Sequence, residues 1–92
     1  MAPTFLWPDK DPSDLLDYSI SWSGLLGSDT ISTVTWTVPS GLVSESQSNT
    51  ATRTTIWLSG GPAGTTYAVA CLIVTTGGRE FERSASLTVV DL

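Results

Sequence analysis

From Leu16 onward, apolar and polar residues alternate with a period of two along most of the chain. Leu16, Tyr18, Ile20 and Trp22 are interleaved with Asp17, Ser19 and Ser21, the pattern of a strand with one buried face. Residues 23–29, SGLLGSD, read as a connection. A second strand is predicted over residues 30–38, with Val34, Trp36 and Val38 on one face and Thr33, Thr35 and Thr37 on the other. Pro39, Ser40 and Gly41 end it. Residues 42–46 fit a short third strand, followed by a polar turn at 47–49. Residues 52–59 form a fourth, carrying Ile56 and Leu58 on one face and Trp57 on the other. After the break GGPAG at 60–64, residues 66–75 place Tyr67, Val69, Cys71 and Ile73 opposite Ala68, Ala70, Leu72 and Val74. Gly77-Gly78 predicts a hairpin, because positive φ costs glycine nothing. In the last strand, residues 79–90, Phe81, Ala85, Leu87 and Val89 share a face with Arg83. Six strands, short turns and no helix predict an all-β fold, a single antiparallel β-sandwich over residues 15–92.

Residues 1–14, MAPTFLWPDKDPSD, break this rhythm. Three prolines and three aspartates favour extended backbone without periodicity, so this segment is expected to be an extended N-terminal arm. Phe5, Leu6 and Trp7 lie in it and need a surface to dock on, either the domain's own sheet edge or another protein. Leu72 and Val74 pose a similar problem. Only one face of a sandwich strand meets the core, yet residues 66–75 are apolar on both. Trp57 likewise falls opposite the core face, where an interface, a sugar-stacking platform or packing under the arm would explain it. Trp22 and Trp36 are expected inside. Phe5, Leu6, Trp7, Trp57, Leu72 and Val74 are therefore the candidate contact residues.

Ninety-two residues suffice for one domain. Only 14% of them are charged, whereas serine and threonine number 13 and 14. A surface rich in hydroxyls is less costly to desolvate against a partner than a charged one. The net charge of −5, with Lys10, Arg53, Arg79 and Arg83 the only cations, offers no basic stripe for phosphates and disfavours both nucleic acid and anionic membranes. No secretion signal is expected, and no apolar stretch reaches the roughly 18 residues of a membrane span.

The chain contains no histidine and a single cysteine. Ser-His-Asp and Cys-His catalysis, histidine-based metal sites and thiolate zinc sites are thereby excluded. The remaining acids concentrate in the arm and turns, which are poor places to hold two carboxyls in register. Asp9, Asp11 and Asp14 form D-x-D-x-x-D, but Pro12 interrupts it and the glycine and terminal glutamate of a calcium loop are missing; an acidic turn is the expected reading. Neither catalytic residue, metal nor cofactor is expected. Cys71 reads as a small buried apolar residue. Tyr67, after the glycine-rich corner in GTTYAVAC, resembles the tyrosine corner of immunoglobulin-like sandwiches, although the spacing to Cys71 is four residues where that motif has two.

Four stretches carry a family resemblance: FLWPDKDPSDLLDYSISWS from Phe5, GSDTISTVTWTVPSGL from Gly27, WLSGGPAGTTY from Trp57 and TTGGREFERS from Thr75. Together they resemble a family of small fibre–tail adaptor proteins of tailed phages, over nearly the whole chain. The resemblance implies an immunoglobulin-like virion structural protein, made and folded in the host cytoplasm and present in several copies. Its partners would be other virion proteins, namely tail, connector or fibre subunits, and it would have neither catalytic residues nor cofactor. Two rival readings stay open: an immunoglobulin-like module that binds a host surface or carbohydrate through Trp57, and a head-decoration or neck protein.

Overall fold

A computed structural model describes residues 5–92. It contains seven strands and one helical turn: β1 (Phe5–Leu6), β2 (Leu16–Ser21), α1 (Ser23–Leu26), β3 (Ile31–Thr37), β4 (Leu42–Asn49), β5 (Arg53–Gly60), β6 (Thr65–Thr75) and β7 (Glu80–Val89). Two sheets face each other, one of order β1-β7-β6-β3 and one of order β2-β5-β4. All pairings are antiparallel except that of β1 with β7. The expected all-β sandwich is present.

Alternation explains the core. Tyr18 and Ile20 from β2, Ile56 and Leu58 from β5, Val69, Cys71 and Ile73 from β6, and Leu87 and Val89 from β7 all point between the sheets and are buried. Each large aliphatic among them contributes roughly 1.5–3 kcal/mol relative to exposure. Leu58 is wholly enclosed, and truncating it to alanine is expected to cost about 2–5 kcal/mol. Thr54 is a polar member of this layer. Its hydroxyl accepts the Trp22 indole N–H at 3.0 Å and the Cys71 thiol at 3.6 Å, which ties β5 to the start of α1 and to the facing sheet.

Four local expectations need correction. Residues 23–26 are not plain connection but a single helical turn that buries Leu26; four residues are too few to display a 3.6-residue period. β4 does not stop at residue 46 but runs on through the expected turn to Asn49. It is an edge strand exposed from Val43 onward, so polar residues occupy both faces and hide the alternation. The predicted β6–β7 hairpin is present, but its link is residues 76–79 rather than Gly77-Gly78 alone, closed by a turn in which the Gly78 amide donates to the Thr75 carbonyl at 3.0 Å. The seventh strand, β1, lies in the arm.

The part of the arm at residues 5–10 docks on the domain's own sheet edge. Phe5 and Leu6 pair with Ala85 and Ser86. The Trp7 amide donates to the Ser86 carbonyl at 2.9 Å, the Lys10 amide to Thr88 at 3.0 Å, and the Val90 amide returns to Lys10 at 2.8 Å. Pro8 interrupts the ladder because it has no N–H. At the end where Lys10 pairs with Val89, Gly41 and Gly61 allow the backbone to close over Tyr67. With φ of +108° and +92°, both adopt backbone that other residues avoid, and a Cβ on Gly41 would stand 2.6 Å from the Tyr67 hydroxyl.

Candidate partner-binding surfaces

The six candidate contact residues do not form one patch. Trp7 is in the core: it is 7% exposed, stacks on Tyr18 at 4.8 Å and lies 6.2 Å from Trp36 at a tilt. Its indole N–H donates to the Ser19 carbonyl at 3.3 Å. Phe5 packs half-buried against the same core. Leu6 alone of the arm trio faces outward, 82% exposed, because alternation turns it away from the two residues that flank it.

Leu72 and Val74 lie on the outer face of the four-stranded sheet, half-buried. In register beside Leu72 are Thr35 and Glu82, and beside Val74 are Thr33 and Glu80. The described part of the arm sits on β7 at the far edge, away from these two side chains. This face therefore presents a short aliphatic ridge between a row of threonines and a row of glutamates.

Trp57 lies on the outer face of the other sheet, opposite the side of the molecule that carries Leu72. It is 39% exposed, with Asp17 and Ser46 in register. Among the described residues the arm does not cover it, since residues 5–10 dock on the other sheet. Two residues the sequence reading did not single out join it. Val43 is in register with Ser59, two residues along β5 from Trp57, and Leu15 immediately precedes β2 at the same end; both are exposed. Alternation would have flagged Val43 once β4 was known to begin at Leu42. Ser59 donates a hydrogen bond to Glu45 at 2.5 Å, so Asp17 and Glu45 rim an apolar surface with negative charge. Arg53 closes it on the remaining side, donating to the Ser19 hydroxyl at 3.0 Å.

Several titratable groups are committed to structure. Asp29 accepts the amides of Thr30 and Gly77 at 2.9 and 3.0 Å and pairs with Arg79 at 3.1 Å. Hydrogen bonding, first from the Thr75 hydroxyl and then from those amides and Arg79, holds its carboxyl at about 2. Asp11 is lowered chiefly by the Leu92 amide, at 2.9 Å, and then by the Ser13 amide, at 2.8 Å, so this member of D-x-D-x-x-D caps backbone. Desolvation pushes the Cys71 thiol up to about 11 and, with nearby aspartates, the Tyr18 phenol to about 12. Lys10 was missed as a structural residue: fully buried, it donates to the carbonyls of Asp11 at 2.8 Å and Gly60 at 2.7 Å and clips the arm to the end of β5. Among the described residues no three His, Cys, Asp or Glu side chains gather as a metal site would require.

This arrangement offers outer sheet faces and edges for contact with other molecules. A comparison with curated proteins gave no match. The family model described as podophage GP4 fiber-tail adaptor protein gp77 matches residues 10–88, a span that takes in β2 to β6, all but the last residue of β7 and both outer faces. The chain belongs to the fibre–tail adaptor family typified by podophage GP4 gp77.

Proposed function

We propose that this protein is a non-enzymatic structural adaptor of a tailed-phage virion, joining tail or connector components to tail fibres through contacts on its two outer sheet faces. The observation that carries the reading is the family match over residues 10–88. The outer-face apolar side chains support it: half-buried Leu72 with Val74 on one face, and exposed Trp57 with Leu15 and Val43 on the other. Lying on opposite sides of a thin sandwich, they suit a part that holds one neighbour on each side. The strand order supports an immunoglobulin-like reading of the domain. Lettered A to G in chain order, the sheets are B-E-D and A-G-F-C, against A-B-E-D and C-F-G in the constant type, so only the first strand changes sheet.

The test is binding of the purified chain to the purified fibre and tail proteins of the same phage, followed by calorimetry. Leu72→Asp is expected to abolish one contact and Trp57→Ala the other, while thermal stability changes by less than about 1 kcal/mol, as for surface positions. Binding to neither fibre nor tail protein would overturn the reading. Light scattering behind size-exclusion chromatography on the same sample tests the expected multiple-copy assembly.

A further inference from the structure

A sandwich of two open sheets has four edge strands, here β1, β3, β2 and β4. An edge strand displays unpaired backbone groups that can template pairing with another chain, and proteins blunt such edges with charge, bulges or shortness. Three of the four are blunted. β1 is two residues long, β2 carries Asp17, and β4 carries Glu45 at a register shift between Ser44 and Ser46. β3 is different. After a shift between Ile31 and Thr33 it pairs regularly with β6 through Thr37, and Thr33-Val34-Thr35-Trp36-Thr37 contains no charge, proline or glycine. Its β-branched composition suits an added strand.

A second feature lies beside this edge. Where β3 and β4 border the open side of the sandwich there is a cleft of about 190 Å3, lined by Val34, Trp36, Gln47, Ser48 and Asn49. Trp36 lines this cleft, and its indole N–H is buried with no hydrogen-bond partner among the described residues. A buried donor of this kind is normally satisfied. A strand laid along β3 would direct alternate side chains towards the cleft.

We infer that the β3 edge receives an extended, uncharged segment of a partner virion protein by strand addition, with one acceptor-bearing side chain (Asn, Gln, Ser or Thr) directed to the Trp36 indole N–H. The inference rests on the adaptor reading above and names the surface through which one partner is held. Backbone pairing supplies the binding and the cleft supplies the selection. The neutrality of β3 in a chain of net charge −5 calls for a neutral segment. A second copy paired antiparallel through its own β3 fits less well, because it would bring Val34 and Trp36 to the cleft side, and neither offers an acceptor.

The experiment is hydrogen exchange on the full chain, alone and with the purified fibre and tail proteins of the same phage. In the complex, the amides of residues 33–37 that point away from β6 are expected to slow at least tenfold while those of β2 stay unchanged. Trp36→Phe keeps the ring and removes the donor, and is expected to weaken binding at least fivefold with the fold intact. Val34→Lys places a charge at the cleft and is expected to abolish binding. Binding with residues 33–37 unprotected, or unaffected by Trp36→Phe, would overturn the inference and leave the adaptor reading standing. Protection of the same residues that rises with concentration in the chain alone would assign the edge to a second copy and overturn it too. Failure to bind any of these proteins would remove the adaptor reading and this inference together.

Discussion

Replacing Trp7 with alanine tests whether the arm is part of the domain or an appendage for assembly. Trp7 is almost fully enclosed, stacked on Tyr18 and bonded to the Ser19 carbonyl. Truncating a buried tryptophan costs about 3–5 kcal/mol, which includes the aromatic pair's contribution of roughly 0.5–1.5 kcal/mol. Position near the chain end caps the loss, because residues 5–10 can detach as a unit and regain conformational entropy once their anchor is gone. The expected destabilisation is therefore about 3 kcal/mol. Against a total of about 5–14 kcal/mol for a domain of this size, it is a large fraction. Urea unfolding followed by circular dichroism reads it as a midpoint lowered by about 2–3 M, for a slope near 1–1.5 kcal/mol/M. The detachment argument adds a sharper requirement. Lys10 clips the same segment to Gly60, so Lys10→Ala should cost much less in the Trp7→Ala background than in the natural chain. A loss below about 1 kcal/mol for Trp7→Ala, or full additivity of the two changes, would refute the reasoning.

Other expectations follow from single groups. Because the Asp29 carboxyl titrates at about 2 when folded and near 3.8 otherwise, its contribution to stability is complete above about pH 4 and is lost as pH falls towards 2. Asp29→Asn should flatten that part of a urea-midpoint profile measured from pH 2 to 6. The Tyr18 hydroxyl is buried without a partner and its phenol is raised to about 12, so stability is expected to be lost between pH 10 and 12. Tyr18→Phe should abolish that loss and leave neutral-pH stability equal or up to about 1 kcal/mol higher, checked by thermal melts. Cys71 is enclosed and its thiol is pushed up to about 11, so it should react with a thiol reagent only at the rate of unfolding. A fast reaction in native buffer would contradict its burial.

The strands were legible where one face meets the core and the other meets water, as in β2, β5 and β7. There the burial requirement writes itself into every second residue. Legibility failed where that requirement lapses. β4 pairs on one side only and is exposed on both faces, so SESQSN carries no alternation and resembles a turn. α1 occupies too few residues for a helical period, and the buried Leu26 in it is indistinguishable in sequence from the exposed Leu25. In the arm, aromatic composition announced a docking requirement, but composition does not specify direction. The surface chosen was the domain's own β7 edge, which takes Trp7 out of the contact set and leaves Leu6 in it.

Candidate contact surfaces came from the same rule in reverse. An apolar residue at a position that alternation assigns to solvent has no internal account, and Trp57, Leu72 and Val74 were identified in this way. The rule finds side chains and is blind to backbone. An unblunted edge such as β3 is defined by what its neighbours in space leave unpaired, and pairing depends on strand order, which a single sequence does not state. Each residue of TVTWT looks like ordinary strand. Only when β3 is seen at the margin of its sheet, next to blunted edges and a cleft with an unpaired indole N–H, does the absence of charge in it acquire meaning. Charge introduced there, as in Val34→Lys, should leave the β6 pairing in place and remove the edge's capacity to add a strand.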